Sequence, residues 1–140
     1  MTANPTSCPS SAGAVEAAQI MRDEDVGSVP VIDEGTQKLV GMVTDRDLCL
    51  EVVAEGRDPV ETTIGDCMSG MLITCRPEDD LQEAERLMQE HQIRRIPVVD
   101  QRGYCIGIVS QADLALKANQ PEEVHETVRR ISEPPSRKAA

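Results

Sequence analysis

The amino-acid sequence repeats itself, and this repeat constrains the fold more than any other feature. When the chain is shifted by 67 residues, and by 66 residues after the first turn, ordered identities and conservative replacements align its two halves. The clearest matches are Met21 with Met88, Val29-Pro30-Val31 with Ile96-Pro97-Val98, Asp33 with Asp100, Gly41-Met42-Val43-Thr44 with Gly107-Ile108-Val109-Ser110, and Asp47-Leu48 with Asp113-Leu114. The one-residue change falls between Asp33 and Gly41, where a surface turn tolerates it. The chain is therefore a duplication.

Each copy has the pattern of a helix, two strands and a second helix, because apolar residues recur first at helical spacing and then in short runs. The predicted elements of the two copies are helices through Ala14–Met21 and Leu81–Met88, strands Val29–Ile32 and Ile96–Val99, strands Leu39–Val43 and Tyr104–Val109, and helices Asp45–Glu55 and Gln111–Ala118. Each first strand contains a proline, which donates no hydrogen bond and so predicts a position near a strand start or a sheet edge.

These elements predict an α/β (α+β) fold made of two α-β-β-α repeats. We place the first repeat at residues 1–60 and the second at residues 61–120. Residues 121–140 are expected to form a charged C-terminal helix followed by a frayed tail.

The charge and the aromatic content argue against nucleic acid as a partner. The chain has 14 Lys and Arg against 25 Asp and Glu, a formal net charge of −11. Phosphate backbones are bound through basic patches. Tyr104 is the one aromatic residue, so the chain lacks the stacking platforms that single strands require. No apolar run approaches the length of a membrane span, and a membrane partner is not expected either.

The cysteines predict a reducing compartment. There are five of them, an odd number, and no two have C-x-x-C spacing. No signal peptide is recognised before them, so we expect packed, reduced thiols and a cytoplasmic location. A metal site is not expected, because His91 and His125 lie in charged helical stretches without the spacing of zinc ligands.

The Val-Pro-Val-Ile-Asp strand, the turn, the Gly-Met-Val-Thr strand and the Asp-Arg-Asp-Leu helix resemble a CBS domain, the regulatory domain named after cystathionine β-synthase. The second copy repeats the pattern in Ile96–Asp100 and Gly107–Leu114, so the resemblance covers about residues 1–118. It implies two repeats packed as a pseudo-two-fold pair with two clefts, in which family members commonly bind AMP, ADP, ATP or S-adenosylmethionine. It also implies a homodimer. The resemblance thus predicts a stand-alone regulatory module for an adenosine-type nucleotide, which signals to an unknown downstream protein by conformational change.

The family's ribose and phosphate signature, Gly-x-x-Ser/Thr-x-x-Asp, occurs in both copies. Its members here are Gly41, Thr44 and Asp47 in the first copy and Gly107, Ser110 and Asp113 in the second. A carboxylate can accept hydrogen bonds from both ribose hydroxyls, and a hydroxyl can donate to phosphate. The same spacing is also typical of a capping box, which is a purely structural device. The two interpretations are compatible, because one hydroxyl can serve both roles.

By the same resemblance, the first strand of each repeat supplies the adenine pocket through aliphatic side chains and main-chain groups. The residues concerned are Val29, Pro30 and Val31, and Ile96, Pro97 and Val98. Ser7 and Thr74 match a position where members often place a polar contact. The alternative is that these strand residues are ordinary core.

Arginine suits phosphate because it can form two parallel hydrogen bonds. The candidates are Arg94 and Arg95, which stand where the first copy has Gly27 and Ser28, and then Arg46. Arg22 is a weaker candidate. Solvated charges or surface ion pairs are the alternative for each of these arginines. The two copies are chemically unequal in either case.

Two further functions compete with nucleotide binding. The chain could be a ligand-free module for dimerisation or docking, or a binder of S-adenosylmethionine. An enzyme is not expected, because no nucleophile–base pair, metal constellation or phosphate-binding glycine loop is recognised.

Overall fold

The computed structural model describes residues 2–68 and 72–117, and the chain divides into two compact units. The N-terminal unit is Thr6–Leu72, and the C-terminal unit combines Met1–Pro5 with Ile73–Ala140. This division differs from the sequence division at residues 60 and 61. The first few residues pair within the C-terminal unit, and residues 61–68 pack within the N-terminal unit. The helix and tail predicted for residues 121–140 lie outside the described residues.

The predicted helices and strands occur in the predicted order, together with three short elements that the sequence did not predict, at Thr2–Ala3, Cys8–Pro9 and Ile64–Cys67. They are β1 (Thr2–Ala3), β2 (Cys8–Pro9), α1 (Ala14–Glu24), β3 (Ser28–Ile32), β4 (Leu39–Thr44), α2 (Asp45–Leu48), a π-helical turn (Cys49–Val53), α3 (Ile64–Cys67), α4 (Leu81–His91), β5 (Arg95–Val99), β6 (Cys105–Ser110) and α5 (Gln111–Lys117). In the part of the chain that is described, no helix has the length and apolar character that a membrane crossing requires.

The N-terminal unit is a three-stranded sheet covered by α1. Strand β3 lies in the middle, parallel to β2 and antiparallel to β4. Helix α1 buries residues three and four positions apart, as an amphipathic helix does. The core consists of Cys8, Ala14, Ala17, Met21, Val29, Val31, Val43, Val52, Ile64 and Cys67. It contains no aromatic side chain, so small and branched aliphatic groups provide the packing.

The C-terminal unit has a similar arrangement, and its third strand is β1, from the start of the chain. Strand β6 lies between β5 and β1, and is antiparallel to both. A single parallel bridge from Cys75 to Val98 takes the place that β2 has in the other unit. The core consists of Cys75, Leu81, Ala84, Met88, Ile96, Val98 and Val109.

The two strand prolines differ in position: Pro97 is in β5, an end strand of its sheet, as expected, whereas Pro30 is not at an edge. Pro30 is in the middle strand of its sheet, which corrects the expectation of an edge. Alternate residues of a strand direct their N–H and C=O groups to the same side, and Ile32 accepts a hydrogen bond from Ser10 on the β2 side. The nitrogen of Pro30 therefore also faces β2, but β2 pairs only with Val31 and Ile32. Pro30 therefore lies one residue before the parallel pairing begins, where an N–H donor is not needed for the β2–β3 ladder.

The predicted helix over residues 45–55 consists of two segments. Helix α2 passes at Cys49 into the π-helical turn, where the Ala54 N–H donates to the Cys49 carbonyl at 2.9 Å. The wider turn places Val52 in the core and leaves Val53 75% exposed. Gly56 follows at φ 68° and ends the helix, as the sequence predicts.

The connector that follows Gly56 is built into the N-terminal unit. The Ala14 N–H donates to the Thr62 carbonyl at 2.8 Å, and the Ile64 N–H donates to the Ala12 carbonyl at 2.8 Å. These bonds satisfy the first amide of α1, which has no partner within its own helix. Ile64 is fully buried in the same core. The connector therefore caps the start of α1 and contributes Ile64 to the core of the N-terminal unit.

Helix α4 ends in a strained residue, which gives a stability prediction. Gln92 has φ 53°, a left-handed conformation that glycine adopts without steric cost. We expect Gln92→Gly to raise the free energy of unfolding by about 0.5 kcal/mol. In the matched control Gln89→Gly, inside the same helix, we expect a decrease of about 1 kcal/mol. Urea denaturation of both variants measures the difference. A decrease for Gln92→Gly as large as that of the control would contradict the strain argument.

Candidate functional site

Both copies of the Gly-x-x-Ser/Thr-x-x-Asp motif form capping boxes at the junction of a strand and a helix. The Thr44 N–H donates to Oδ2 of Asp47 at 2.9 Å, and the Asp47 N–H donates to Oγ1 of Thr44 at 3.1 Å. The corresponding bonds between Ser110 and Asp113 are 2.9 and 3.2 Å. All four residues are half-buried. The structural interpretation of the motif as a cap is thus confirmed in both units.

A third capping box shows that this geometry alone does not define a ligand site. The Thr63 N–H donates to Oδ2 of Asp66 at 3.1 Å, and the Asp66 N–H donates to Oγ1 of Thr63 at 3.3 Å. The hydrogen bond from the Thr63 N–H, and then the Thr63 hydroxyl, lower the pKa of the Asp66 carboxyl. No glycine stands three residues before Thr63, and no strand leads into this box. It offers a natural control for the other two.

Strand alternation divides the predicted adenine-pocket residues between two faces of each sheet. Val29 and Val31 are fully buried in the core of the N-terminal unit, and Ile96 and Val98 are fully buried in the other core. These four side chains are ordinary core, the alternative that the sequence left open. Pro30 and Pro97 fall between them and face the opposite side. Of the predicted pocket, the prolines and the main chain therefore share a face with the capping hydroxyls.

One position on this second face differs between the units. Ser28 is directly opposite Thr44 in the β3–β4 pair, and Arg95 is directly opposite Ser110 in the β5–β6 pair. Side chains that are directly opposite lie on the same face, about 5 Å apart at Cβ. The strand register therefore places Arg95 opposite Ser110, the residue that carries the motif hydroxyl. Ser28 was not a candidate from the sequence, although its alignment with Arg95 was the signal that could have found it.

The side-chain polar groups of Ser28 and Arg95 have no partner among the described residues. Ser28 is only 5% exposed, and its hydroxyl forms no hydrogen bond within the described residues. Arg95 is half-buried as a residue, and its guanidinium forms no ion pair within residues 2–68 and 72–117. A buried hydroxyl without a partner costs about 1–3 kcal/mol, so such a group calls for a ligand or an ordered water.

The other arginine candidates are exposed. The Arg94 carbonyl accepts the Gln111 N–H at 2.8 Å and so supports the start of α5, while its side chain is in solvent. Arg46 is also exposed. Arg22 forms an ion pair with Asp23 at 2.8 Å, and this hydrogen bond raises the pKa of the arginine. Arg22 therefore forms a surface ion pair on α1, which is the alternative to phosphate binding given for the arginines above.

Ser7 and Thr74 occupy matching places just before the parallel contacts of the two first strands. Each precedes a buried cysteine, Cys8 or Cys75, that pairs with the core strand. Both polar residues are half-buried. They lie on the β2 side of β3 and on the corresponding side of β5, the side to which the prolines direct their nitrogens.

The cysteines are all free, and burial raises the pKa of four of them, Cys8, Cys67, Cys75 and Cys105, which makes them poor thiolates. Burial, followed by the nearby Glu16 carboxylate, raises the pKa of Cys8 to about 11. Burial also raises the pKa of Cys75 to about 12 and that of Cys105 to about 11. Nucleophilic cysteines have lowered pKa values. In the part of the chain that is described, no group of three or more His, Cys, Asp or Glu side chains could hold a metal ion.

Comparison with known sequences identifies both repeats. The model of the CBS domain family matches residues 1–54 and 64–118. The CBS domain-containing protein YhcV of Bacillus subtilis (strain 168) is 41% identical over 117 residues, which are 84% of this chain and 81% of YhcV. Inosine-5′-monophosphate dehydrogenase of Nitrosopumilus maritimus is 31% identical over 121 residues, but these are only 24% of that enzyme. This second likeness is confined to the CBS region of the dehydrogenase.

Solved structures share the fold over most of the chain. Hypoxic Response Protein I, solved with two coordinated zinc ions, has a TM-score of 0.74 and 34% identity over 83% of this chain and 92% of its own. The CBS domain pair of protein MJ0100, in complex with methylthioadenosine and S-adenosyl-L-methionine, has a TM-score of 0.74 and 26% identity over 86% and 93%. A hexameric CBS-CP12 protein from bloom-forming cyanobacteria has a TM-score of 0.76 and 28% identity over 88% and 70%.

The repeated sequence, the two α/β units and the matching motif positions agree with these comparisons. The motif residues lie in the two stretches that the family model matches, one in each. The fold class predicted from the sequence is confirmed. The chain belongs to the CBS domain family and contains two CBS domains.

Proposed function

We propose that this CBS pair is a regulatory module that binds an adenosine-type nucleotide such as AMP, ADP or ATP at its Gly-x-x-Ser/Thr-x-x-Asp motifs. The observation that carries the proposal is the hydroxyl of Ser28, which is 5% exposed, lacks a hydrogen-bond partner within the described residues and lies opposite Thr44. A ligand with hydroxyl or phosphate groups would satisfy it. The methylthioadenosine and S-adenosyl-L-methionine bound to the MJ0100 pair support an adenosine moiety.

The motif residues have the chemistry for this ligand. Asp47 uses Oδ2 in its capping box, and no hydrogen bond reaches its Oδ1 from the described residues. That oxygen can accept from a ribose hydroxyl. Thr44 and Ser110 can donate to an oxygen of the ligand while they accept from the helix amide. Pro30 and Pro97 lie on the same face, but both side chains are fully buried.

Binding and capping can be separated by a matched set of variants. We expect Asp47→Ala or Asp113→Ala to weaken the nucleotide by about 10- to 100-fold, the effect of losing a hydrogen bond to a charged group. In the control Asp66→Ala, which breaks the third box, affinity should stay the same. Each of the three should lower the free energy of unfolding by about 1 kcal/mol through the lost cap. Isothermal titration with AMP, ADP and ATP, with urea denaturation beside it, measures both effects.

Two outcomes of these titrations would overturn the proposal. One is an absence of heat from every nucleotide and from S-adenosylmethionine at millimolar concentration. The other is an affinity that Asp47→Ala and Asp113→Ala leave unchanged, which would sink the site assignment. In the first case the ligand-free alternative, a module for dimerisation or docking, gains support.

S-adenosylmethionine is the second candidate, favoured by the ligands of the MJ0100 pair. It lacks phosphate and carries a sulfonium cation, which suits a chain with a net charge of −11. A titration with S-adenosylmethionine that outcompetes ATP would favour it over the nucleotides.

Assembly and location complete the proposal. We expect a homodimer in the cytoplasm that transmits binding to a downstream protein by a shift between conformations. The five free thiols suit a reducing compartment. The hexameric state of the CBS-CP12 protein makes higher assembly the alternative. Light scattering with and without ligand distinguishes a dimer from a hexamer.

A further inference from the structure

We propose that strand β1 is exchanged between two copies of this chain, so that Thr2–Ala3 of one copy completes the C-terminal sheet of the other. The interaction surface is the outer edge of β6, from Ile106 to Ile108, and its partner is the β1 segment of a second copy. This inference rests on the homodimer of the proposed function and deepens it, because it names the contact that joins the two chains.

The outer edge of β6 is already complementary to β1. The two strands pair antiparallel, with Thr2 opposite Ile108. The Asn4 N–H extends the pairing and donates to the Ile106 carbonyl at 3.0 Å. Without β1, these main-chain groups and the side chain of Ile108, which is 7% exposed, would lie at a free sheet edge that can pair with another strand. A second copy carries the same segment and makes the same contacts, so exchange requires no new surface.

Strand β1 is held weakly within its own chain. It has only two residues, of which Thr2 is exposed and Ala3 is half-buried. Segments with few buried apolar contacts open locally at a low free energy. Strand β1 therefore leaves β6 more readily than the core strands separate from each other, and exchange does not require either compact unit to unfold.

The hinge for this exchange lies between β1 and β2, which only four residues separate. Asn4 has φ 49°, in the left-handed region, although it precedes Pro5 and such positions favour extended backbone. The Thr6 hydroxyl donates to Oε1 of Glu24 at 2.8 Å, so the chain is held again directly after the proline. The rotation between the closed and the exchanged form thus falls on Asn4 and Pro5. Short hinges under strain favour exchange, because the open form lets them relax.

A pair of cysteines at positions 2 and 108 reports which copy supplies β1. Thr2 and Ile108 form a hydrogen-bonded pair two residues along from Asn4 and Ile106, with Cα atoms about 5.5 Å apart, a distance that a disulfide can bridge. We make Thr2→Cys/Ile108→Cys in a background in which the exposed Cys49 is alanine. After oxidation in a glutathione buffer, we expect a covalent dimer on a non-reducing denaturing gel, with positions 2 and 108 linked in the peptide map. An oxidised monomer with the same link, or thiols that stay free, would overturn the exchange.

Relief of the hinge strain is a second test that needs no added cysteine. Asn4→Gly adopts φ 49° without steric cost and so stabilises the closed form. We expect it to weaken the dimer about tenfold in a dilution series followed by light scattering. The matched control Gln37→Gly relieves a left-handed residue at φ 66° in the β3–β4 turn and should leave the dimer unchanged. Equal weakening by both variants, or by neither, would overturn the role of the hinge.

The failure of the exchange and the failure of the proposed function give different results. A wild-type chain that is monomeric in light scattering would overturn the homodimer itself. A wild-type dimer whose cysteine variant links only within each chain would overturn the exchange and leave the homodimer intact. Neither measurement uses a nucleotide, so both are independent of ligand binding. Circular dichroism of each variant verifies that it is folded.

Discussion

Replacement of Ile64 by alanine is expected to lower the free energy of unfolding by about 3 kcal/mol, in the middle of the range for large-to-small changes in a core. Ile64 is 0% exposed and belongs to the core of the N-terminal unit, although it lies in the connector after the first repeat. Its N–H also donates to the Ala12 carbonyl at 2.8 Å, and this bond survives the substitution. The expected loss is therefore that of side-chain packing. Urea denaturation of the variant and the wild type measures it.

Val60→Ala is the matched control for Ile64→Ala. Val60 lies in the same connector, but it is 73% exposed. We expect its removal to change stability by no more than about 0.5 kcal/mol, as is usual for surface positions. If both variants lose the same small amount, the connector is not part of the core, and the division of the chain at Leu72 is wrong.

The second large effect is an alkaline loss of stability that depends on Cys75. Burial, and then the carboxylates of Asp79 and Glu83, raise the pKa of this thiol from its ordinary value of 9.0 to about 12. Between these two values the unfolded chain releases the Cys75 proton and the folded chain retains it, so the unfolded state binds fewer protons and stability falls as pH rises. The contribution of Cys75 is complete below pH 9 and is lost progressively up to about pH 12. From pH 8 to pH 10.5 we expect a loss of at least about 1 kcal/mol from this residue.

The comparison between variants isolates this thiol from other groups that titrate in alkali. Cys75→Ala should be less stable than the wild type at pH 8, where it loses packing, and should show a smaller further loss at pH 10.5. Cys49→Ala, at an exposed position, should follow the pH dependence of the wild type. Urea denaturation under a reducing agent at both pH values measures the slopes. Equal pH dependence in Cys75→Ala and the wild type would contradict a buried, protonated thiol.

The sequence predicted the elements of each repeat closely, because their signals are local. The first strands and the helices through Ala17 and Ala84 need only apolar periodicity, and the helix end at Gly56 needs only turn chemistry. The π-helical turn at Cys49–Val53 was missed, since a helical pattern does not distinguish α from π hydrogen bonding. The position of Pro30 was also misjudged, because β2 is only two residues long and pairs just beyond it.

The candidate site was predicted in its residue types and less well in their roles. The motif residues were found because their spacing is short and repeated. The four buried side chains assigned to adenine, such as Val29 and Ile96, belong to the cores. Strand alternation indicates which residues share a face but not which face is covered by a helix, so their assignment required the structure.

The sequence by itself determined the duplication, the α-β-β-α order of each repeat and the membership of the CBS family, because these depend on patterns that lie within a few tens of residues. Tertiary structure alone decided that Thr2–Ala3 completes the C-terminal sheet, that Ile64 fills the N-terminal core and that Arg95 lies opposite Ser110. Each of these is a pairing between residues distant in the chain or a strand register. Such contacts depend on the total burial and hydrogen bonding of the folded unit. A local sequence pattern contains no information about these totals.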